Sequence, residues 1–415
     1  MEQEDDKPLD EYITNSGNKL IAKKLNESHA TAYNDLLKYV FQVTSQDLSE
    51  VGWLEEEMVQ EKAPVLKNAE VIGWFDKDKL VSQIAVYPLK VNIHGKIFSM
   101  GGVTGVGTYP EYAGFGLIKG IMLKSLEEMR QRGQNVSYLY PYSIPYYRKK
   151  GWEIISDVMS FTIKDTQLPK KVEVNGEVHR EPQDHWHVKQ VYDNYAKKTH
   201  GALIRGELEW GEYFRWDKDD MVAAIYYDIN GSPNGYLLYL IENDIFYAKE
   251  MIYLNQEARD GLWNFIGAHF SMIDIIKGKT YRNEPIAFLL DDSEIVETIK
   301  PYFMARIVDV ESFLKMYPFK ERCEPFHFVI EDNMLHWNKG VFTVEFNENK
   351  EVEITNIPKG PYVNININML TTMLMSYRRP TYLAEVGKLK VSSEALLKQL
   401  EVIIPNETAY FSDYF

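Results

Sequence analysis

Cysteine is almost absent from this chain: Cys323 is the only one among 415 residues, so no internal disulfide can form. Long apolar runs are missing too, because nowhere do about 18 uncharged apolar residues follow one another, as a membrane-spanning helix requires. The acidic start, MEQEDDKPLDEY, lacks the basic flank and apolar run of a secretory signal. These absences predict a protein of the reducing cytoplasm.

Positive charge is also scarce, since 46 Lys and Arg face 61 Asp and Glu for a net charge of −15. Neutralising phosphates requires clustered Lys and Arg, so nonspecific binding to nucleic acid or to an anionic membrane surface is not expected. The acidic balance suits a cationic substrate, although a surface adapted to solubility accounts for most of it. An anionic cofactor would need local positive charge.

The chain is longer than one hydrophobic core usually supports, and its patterns divide into three regions of mixed α/β and α+β character. The predicted ranges are 1–165, with 1–18 as a polar tail, then 166–300 and 301–415. In the first region a strand and an amphipathic helix precede the alternating residues 71–108, which predict an antiparallel meander. A helix follows, with Leu117, Ile121 and Met129 on one face and Gly133 at its end. The segments VSYLYPY and WEIISDVMSFTI are then predicted to complete the sheet.

The second region repeats this order of strands and helix, with MVAAIYYDI, GYLLYLIE and FYAKEMIYL followed by EARDGLWNFIGAHFSMI. The loop before that helix has no glycine cluster, so the region reads as a degenerate copy of the first. The third region combines the strand patterns FHFVIED, GVFTVEFN and EVEITN with two helices. It carries no obvious catalytic cluster, which makes binding or assembly its default role.

One loop carries most of the functional information: in VTGVGTYPEYAGFGLIKGIM a strand ends at Thr108 and a helix begins near Phe115. The N-terminus of a helix has unpaired backbone N–H groups and a partial positive charge, so a glycine loop before it can hold a pyrophosphate. Gly114 and Gly116 allow that close approach. Alone, such a loop is more often a simple strand-to-helix turn.

The loop follows a strand that ends in Val/Thr-x-Pro and precedes PYSIPYYRKKGWE by about thirty residues, an order that resembles the GNAT superfamily of N-acetyltransferases. The resemblance implies an acyltransferase that uses acetyl-coenzyme A (acetyl-CoA). It places Val106, Gly107 and Thr108 on the strand that bonds the pantetheine arm and Tyr147 near the thiol. The pyrophosphate would lie on the loop and helix start, formed by Ala113, Gly114, Phe115, Gly116, Leu117 and Ile118.

Two positions depart from the superfamily pattern. Ala113 stands where an Arg or Gln usually opens the loop, and Ile118 stands where a Gly or Ala usually closes it. Backbone amides can still bind the phosphates, and Arg148, Lys149 or Lys150 could supply the missing positive charge, although basic residues at a turn are more often only solvated.

Along nearly its whole length the chain is similar to the enhanced intracellular survival (Eis) acetyltransferase family. That family joins a GNAT domain, a second GNAT-like domain lacking a working cofactor site, and a sterol-carrier-protein-like domain. Its loop also ends in a branched apolar residue, as Ile118 does. The resemblance implies a homo-oligomer, a hexamer or a trimer, and a C-terminal carboxylate, here that of Phe415, in the active site.

Acetylating an amine requires a base for the ammonium proton and an acid for the departing thiolate. With the family resemblance, Tyr147 is predicted as the acid and the Phe415 carboxylate as the base. Asp413 is a candidate contact to the substrate ammonium, although an exposed aspartate is the simpler interpretation. No metal is predicted, because His185 and His187 have no third ligand at suitable spacing.

The leading hypothesis is therefore transfer of acetyl from acetyl-CoA to a primary amine of a polyamine, an aminoglycoside-like compound or a lysine side chain. The alternative is a lipid- or ligand-binding protein that keeps an inactive acetyltransferase scaffold, a hypothesis that Ala113 favours. A third possibility transfers a larger acyl or aminoacyl group. Nothing in the sequence discriminates acyl length.

Overall fold

A computed structural model describes residues 8–14, 17–43, 66–214, 220–281, 285–348 and 351–415 of the chain. These residues form three sheets, each covered by helices. Within them, no helix is both long enough and apolar enough to cross a bilayer. Part of the predicted tail 1–18 lies outside the described residues, but Asp10–Ile13 is a strand rather than tail. It pairs antiparallel with Lys19–Ala22 across a turn in which Gly17 has a φ of 84°.

The first sheet has eight strands, in the order β1 (Asp10–Ile13), β2 (Lys19–Lys24), β3 (Glu70–Asp76), β4 (Lys79–Ile93), β5 (Lys96–Thr108), β6 (Val136–Leu139), β15 (Met304–Ile307) and β7 (Glu153–Ile154). The predicted meander is β3–β5, and only β5 and β6 run parallel. Its helices are α1 (Ala30–Phe41), α2 (Leu117–Gln131) and α3 (Ile144–Arg148).

Helices α1 and α2 cover opposite faces of the first sheet, because the period of two along β3 and β4 sends alternate side chains to each face. Tyr33 and Leu36 of α1 pack in one cluster with Val71 and Ala85. The predicted apolar face of α2 packs on the other side, against Ile72, Trp74, Ile84 and Val86 among others. Burying one large aliphatic or aromatic side chain completely stabilises the folded state by about 1.5–3 kcal/mol.

The second sheet has seven strands, in the order β14 (Val296–Pro301), β8 (Asp157–Lys164), β13 (Ile275–Thr280), β12 (Ile245–Tyr253), β11 (Pro233–Glu242), β10 (Val222–Tyr227) and β9 (Glu177–Pro182). Its helices are α4 (Trp186–Ala196), α5 (Glu207–Phe214) and α6 (Gln256–Gly267). The parallel pair β12–β13 with α6 after β12 repeats the arrangement of β5, β6 and α2.

The third sheet has five strands, in the order β18 (Val352–Thr355), β17 (Gly340–Phe346), β16 (Phe326–Glu331), β19 (Tyr362–Asn366) and β20 (Lys390–Val391). Its helices are α7 (Val310–Met316), α8 (Ile367–Leu374), α9 (Pro380–Glu385) and α10 (Glu394–Ile403). One buried cluster contains both Leu89 and Met100 of the first sheet and Phe328 and Leu370 of this unit. The first and third regions therefore share a core.

Two strands lie in a different sheet from the one their position in the sequence predicts. The segment WEIISDVMSFTI was expected to close the first sheet as one strand, yet its second part belongs to β8, which lies between β13 and β14 of the second sheet. The last strand of the first sheet is β7, from the start of the same predicted segment, and β15, from the predicted third region, inserts between β6 and β7. Alternation of apolar and polar residues determines which face of a strand is buried, but not which edge it joins.

Candidate active site

A cavity of about 490 Å³ opens beside β5, where β6 separates from it. The two parallel strands pair only over Met100–Gly102, so from Val103 onward this edge of β5 has no partner among the strands that the structure describes. Free backbone N–H and C=O groups on such an edge can bond an extended ligand. The cavity is lined by Val40, Phe41, Val103, Thr104, Gly105, Val106, Gly107, Thr108, Ile118, Tyr140, Tyr142, Ser143, Tyr146, Tyr147, Tyr414 and Phe415.

The glycines of β5 give this strand its shape. Its register with β4 shifts between Gln83 and Ala85, opposite a bulge in which Gly105 has a φ of 59°. A side chain at Gly105 would also meet the Tyr33 hydroxyl, 2.6 Å from the position of its Cβ. A bulge with glycine in the left-handed conformation bends a strand and redirects its backbone groups, here beside the cavity.

The loop from β5 to α2 contains two glycines in the left-handed conformation just before a helix without a side-chain cap. Gly114 and Gly116 have φ values of 87° and 76°, which ordinary side chains rarely adopt. Gly116 is the N-cap of α2 and has no side-chain acceptor, and its carbonyl accepts from the Lys119 N–H at 3.0 Å, so only the N–H groups before Lys119 are left for a ligand. The side chain of Trp74 donates to the Leu117 carbonyl at 3.0 Å and fixes the start of the helix.

Lysines rather than Ala113 bring positive charge to this loop. Burial and the nearby charge of Lys119 lower the pKa of Lys150, so these two amines lie close enough to repel each other. Arg148, by contrast, forms an ion pair with Glu153 at 2.7 Å. Lys119 itself lies in the first turn of α2, where positive charge adds to that of the helix N-terminus.

Tyr147 lies on α3 with its side chain 7% exposed, and it lines the cavity. Burial, and secondarily Tyr146, raises the pKa of its hydroxyl above the ordinary tyrosine value. The group therefore stays protonated through the physiological range and can act as a proton donor. The raised pKa also means that donating this proton costs more free energy than donation from an ordinary tyrosine.

The last residues of the chain form the opposite wall of the cavity. Phe415 packs against Tyr87, Phe303 and Phe411, with ring centroids 6.1, 5.5 and 6.3 Å away. Its ring lies directly on β5, because a Cβ at Gly102 would be only 2.8 Å from the Phe415 Cε2 atom. Tyr147 and Phe415, distant in sequence, thus face one space.

A second cavity, of about 360 Å³, continues from the first beyond Phe415. It shares with the first Phe41, Thr104, Gly105, Tyr414 and Phe415, and its remaining lining residues are Tyr33, Leu37, Lys38, Val43, Tyr87 and Glu212. Glu212 lies on α5 of the second domain and is 8% exposed. Aromatic rings and a carboxylate are the groups that bind an organic cation.

The predicted site residues occupy different positions around this space. Val106, Gly107, Thr108, Ile118, Tyr147 and Phe415 line the first cavity. Ala113, Gly114 and Gly116 form the loop, whereas Leu117 is buried in the core and Phe115 stacks on Tyr12 at 5.9 Å. Asp413 is 2% exposed, and its carboxylate accepts a hydrogen bond from Arg205 instead of lining either cavity.

The second domain keeps the cleft but not the anion site. Strands β12 and β13 pair only up to Ala248 and then separate beside a cavity of about 460 Å³. Helix α6, however, starts directly after the strand, and its N-cap Asn255 accepts a hydrogen bond from the Ala258 N–H at 2.8 Å. The start of α6 therefore differs from that of α2, because a side chain caps it and no glycine loop precedes it.

The histidines considered as metal ligands have other partners. Nδ1 of His185 accepts from the His187 N–H at 3.2 Å, and the His187 ring contacts the Tyr227 hydroxyl at 2.8 Å. In the parts of the chain that the structure describes, no group of three or more His, Cys, Asp or Glu residues is arranged to hold a metal ion.

Sequence reasoning did not identify Glu212, Lys119, or the aromatic wall formed by Tyr140, Tyr142, Tyr146 and Tyr414. It also missed Glu250, although a signal was present. In β12 the alternating inward positions are Phe246, Ala248, Glu250 and Ile252, so the pattern places a carboxylate among apolar residues. An inward acidic residue requires a buried partner.

Three segments of the chain match families of known domains. Residues 22–155 and 201–307 each match an acetyltransferase (GNAT) domain family, and residues 310–412 match a sterol carrier protein domain family. Among curated proteins, no sequence matches the chain. The order of domains, two GNAT domains and then a sterol carrier protein domain, is the predicted one.

Three solved structures share the fold along nearly the whole chain. A probable N-acyltransferase of unknown function from Enterococcus faecalis is 26% identical, with a TM-score of 0.85 over 95% of this chain and 99% of that one. A GCN5-related N-acetyltransferase from Anabaena variabilis is 22% identical, with a TM-score of 0.82 over 95% and 100%. Eis1 from Mycobacterium abscessus is 16% identical, with a TM-score of 0.79 over 95% and 100%.

Proposed function

We propose that this chain, a tandem GNAT protein with a C-terminal sterol carrier protein domain and the fold of Eis1, transfers acetyl from acetyl-CoA to a primary amine. The acceptor would be a polyamine, an aminoglycoside-like compound or a lysine side chain. The observation that carries the proposal is the placement of Tyr147 and Phe415 in one cavity beside the unpaired edge of β5. The superfamily's chemistry needs an acid and a base at this place.

The described residues fit acetyl-CoA. The free backbone edge of Val106–Thr108 would bond the pantetheine arm, and the N–H groups at the start of α2 would bind the pyrophosphate. Lys119 and Lys150 would supply the positive charge that Ala113 does not. The bound cofactor supplies an acetyl group activated as a thioester.

In the reaction the acceptor nitrogen attacks the acetyl carbonyl, an N–C bond forms and the C–S bond breaks. The Phe415 carboxylate takes the proton lost by the amine, directly or through one water, and the Tyr147 hydroxyl donates a proton to the departing sulfur. A carboxylate is a weak base towards an alkylammonium, with reference pKa values of about 3.5 and 10.4. Desolvation of both groups in the aromatic cavity reduces this mismatch.

The amine would enter through the second cavity, where Glu212 and the aromatic rings would contact the cation and Lys38 is the one basic residue among the described lining residues. We assign the contact to the ammonium to Glu212, which lines the second cavity, and not to Asp413, which lines neither cavity. The net charge of −15 agrees with a cationic acceptor. A cytoplasmic location and assembly into a homo-oligomer, a hexamer or trimer, belong to the same proposal.

The test is thiol release from acetyl-CoA with a panel of polyamines, aminoglycosides and lysine peptides, and mass spectrometry of the products. Turnover with at least one amine, with a mass gain of one acetyl group per acceptor nitrogen modified, supports the proposal. Binding of no acetyl-CoA and acetylation of no amine would refute it and favour the ligand-binding alternative. Longer acyl-CoA donors in the same assay measure the acyl preference.

Replacing Lys150 with alanine is expected to raise the KM for acetyl-CoA about tenfold with little change in kcat, since a charge-assisted contact to phosphate contributes about 1.4 kcal/mol. Because the Lys150 pKa is lowered, its charge is lost at a lower pH than that of an ordinary lysine. The KM of the unmodified protein should therefore rise towards alkaline pH, and Lys150→Ala should lack that rise. Lys149→Ala is the control, and an equal effect from it would contradict a specific role for Lys150.

A further inference from the structure

A buried cluster of charges in the second domain holds the end of the chain. At its centre is Arg205, whose side chain is 0% exposed. Its Nε donates to Asp413 Oδ1 at 2.7 Å, and its Nη1 and Nη2 donate to the two Glu250 oxygens at 3.2 and 3.1 Å. The guanidinium also lies over the rings of Tyr192 and Tyr213, 3.7 and 3.8 Å from their centroids.

The C-terminal segment makes further bonds to the same cluster. The Ser412 hydroxyl donates to Glu250 Oε1 at 2.7 Å and the Tyr410 hydroxyl donates to the same oxygen at 3.3 Å. From the other side, the Tyr302 hydroxyl donates to the backbone carbonyl of Asp413 at 2.9 Å. Residues 410–413 are therefore fixed through both backbone and side chains, two positions before Phe415.

Stability alone is a poor explanation for such a cluster. Two carboxylates and one guanidinium are removed from water here, and apolar side chains of similar volume often stabilise a protein as well as a buried ion pair does. Directional hydrogen bonds, in contrast, hold the groups they join in a defined position. A chain end without them frays, and the proposed base lies at this chain end.

We propose that Arg205 and Glu250 are positioning residues for the acetyl transfer: through Asp413 and Ser412 they hold the terminal segment so that the Phe415 carboxylate faces Tyr147. The second GNAT domain, which lacks an anion site, thereby contributes to catalysis by placing the base. This inference rests on the proposed function for its catalytic consequence, but the anchoring of the tail can be measured without turnover.

The test uses the full-length protein with Arg205→Met and Arg205→Lys, the second of which keeps the charge and loses the forked geometry. Carboxypeptidase release of Phe415, followed by mass spectrometry, reports the freedom of the tail. We expect release to be about tenfold faster in both variants, with kcat about tenfold lower and the KM for acetyl-CoA within about twofold of the unmodified protein. Tyr302→Phe, which removes one hydroxyl, tests the same anchor if the Arg205 variants do not fold.

Arg306→Met is the matched control for tail release, because Arg306 is another fully buried arginine, and its hydrogen bonds among the described residues go to Asp332 and the Lys150 carbonyl and not to the tail. It should lower the melting temperature without accelerating the release of Phe415. A folded Arg205→Met protein whose tail is as protected as before, or whose freed tail leaves kcat unchanged, would overturn the proposal. If the unmodified protein acetylates nothing, the proposed function fails, while the release assay still decides whether Arg205 holds the tail.

Discussion

Replacing Tyr147 with phenylalanine is expected to lower kcat by about 10²–10³-fold, because the departing thiolate loses its proton donor. The KM for acetyl-CoA should stay within about twofold, since the ring remains and only the hydroxyl is lost. Burial raises the pKa of this hydroxyl, so the unmodified protein should lose no activity through Tyr147 ionisation below about pH 10. Steady-state thiol release between pH 6 and about 10 measures all three quantities.

Tyr146→Phe is the control for this experiment. Tyr146 precedes Tyr147 on the same short helix and lines the same cavity, with the two rings 5.2 Å apart. Loss of its hydroxyl should change kcat by less than about threefold, because no proton transfer is assigned to it. If Tyr147→Phe retains the original kcat, or if both variants lose it equally, Tyr147 is not the acid.

Extending the chain by two glycines beyond Phe415 is expected to lower kcat by about 100-fold, because the carboxylate would move away from the reacting amine. The same two residues added at the N-terminus serve as the control and should have no effect. Acetyl-CoA binding, measured by titration calorimetry, should survive the C-terminal extension because the loop before α2 is untouched. Unchanged kcat in the extended protein would exclude the terminal carboxylate as the base.

Gly102→Ala tests whether the position of Phe415 matters without altering the terminus. Its new Cβ would lie 2.8 Å from the Phe415 ring and 2.6 Å from a methyl of Leu89, so the ring must shift. We expect this variant to lower kcat in the same direction as the extension while remaining able to bind acetyl-CoA. Agreement between the two variants would assign the loss to the position of Phe415 and not to the added residues.

In the proposed function, each of the three regions of the chain contributes a different part of the site. The first domain supplies the free strand edge, the glycine loop and Tyr147, and the third region supplies both β15 and the terminal segment. The second domain supplies Glu212 at the cavity and Arg205 with Glu250 beneath the tail.

Local features of the fold and the site were readable from the sequence. The meander of β3–β5, helix α2 with its buried face, and the glycine loop follow from periodicity and from residues with special backbone freedom, such as Gly114 and Gly116. These patterns involve residues that are close together in the chain, so a single sequence is enough to recognise them. The identity of Tyr147 and Phe415 as candidates came instead from resemblance to a family.

Only the tertiary structure decided which distant segments meet. Nothing in their alternation of residues assigns β8 to the second sheet or β15 to the first, because strand pairing depends on shape and burial across the whole molecule. Asp413 was expected at the surface, because an aspartate near a chain end is usually exposed. Its partner Arg205 and the nearby Glu250 lie more than 160 residues earlier in the chain, so the local sequence does not reveal them. The sequence by itself thus determined the elements and the loop, while long-range packing and the need to pair buried charges decided where the end of the chain lies.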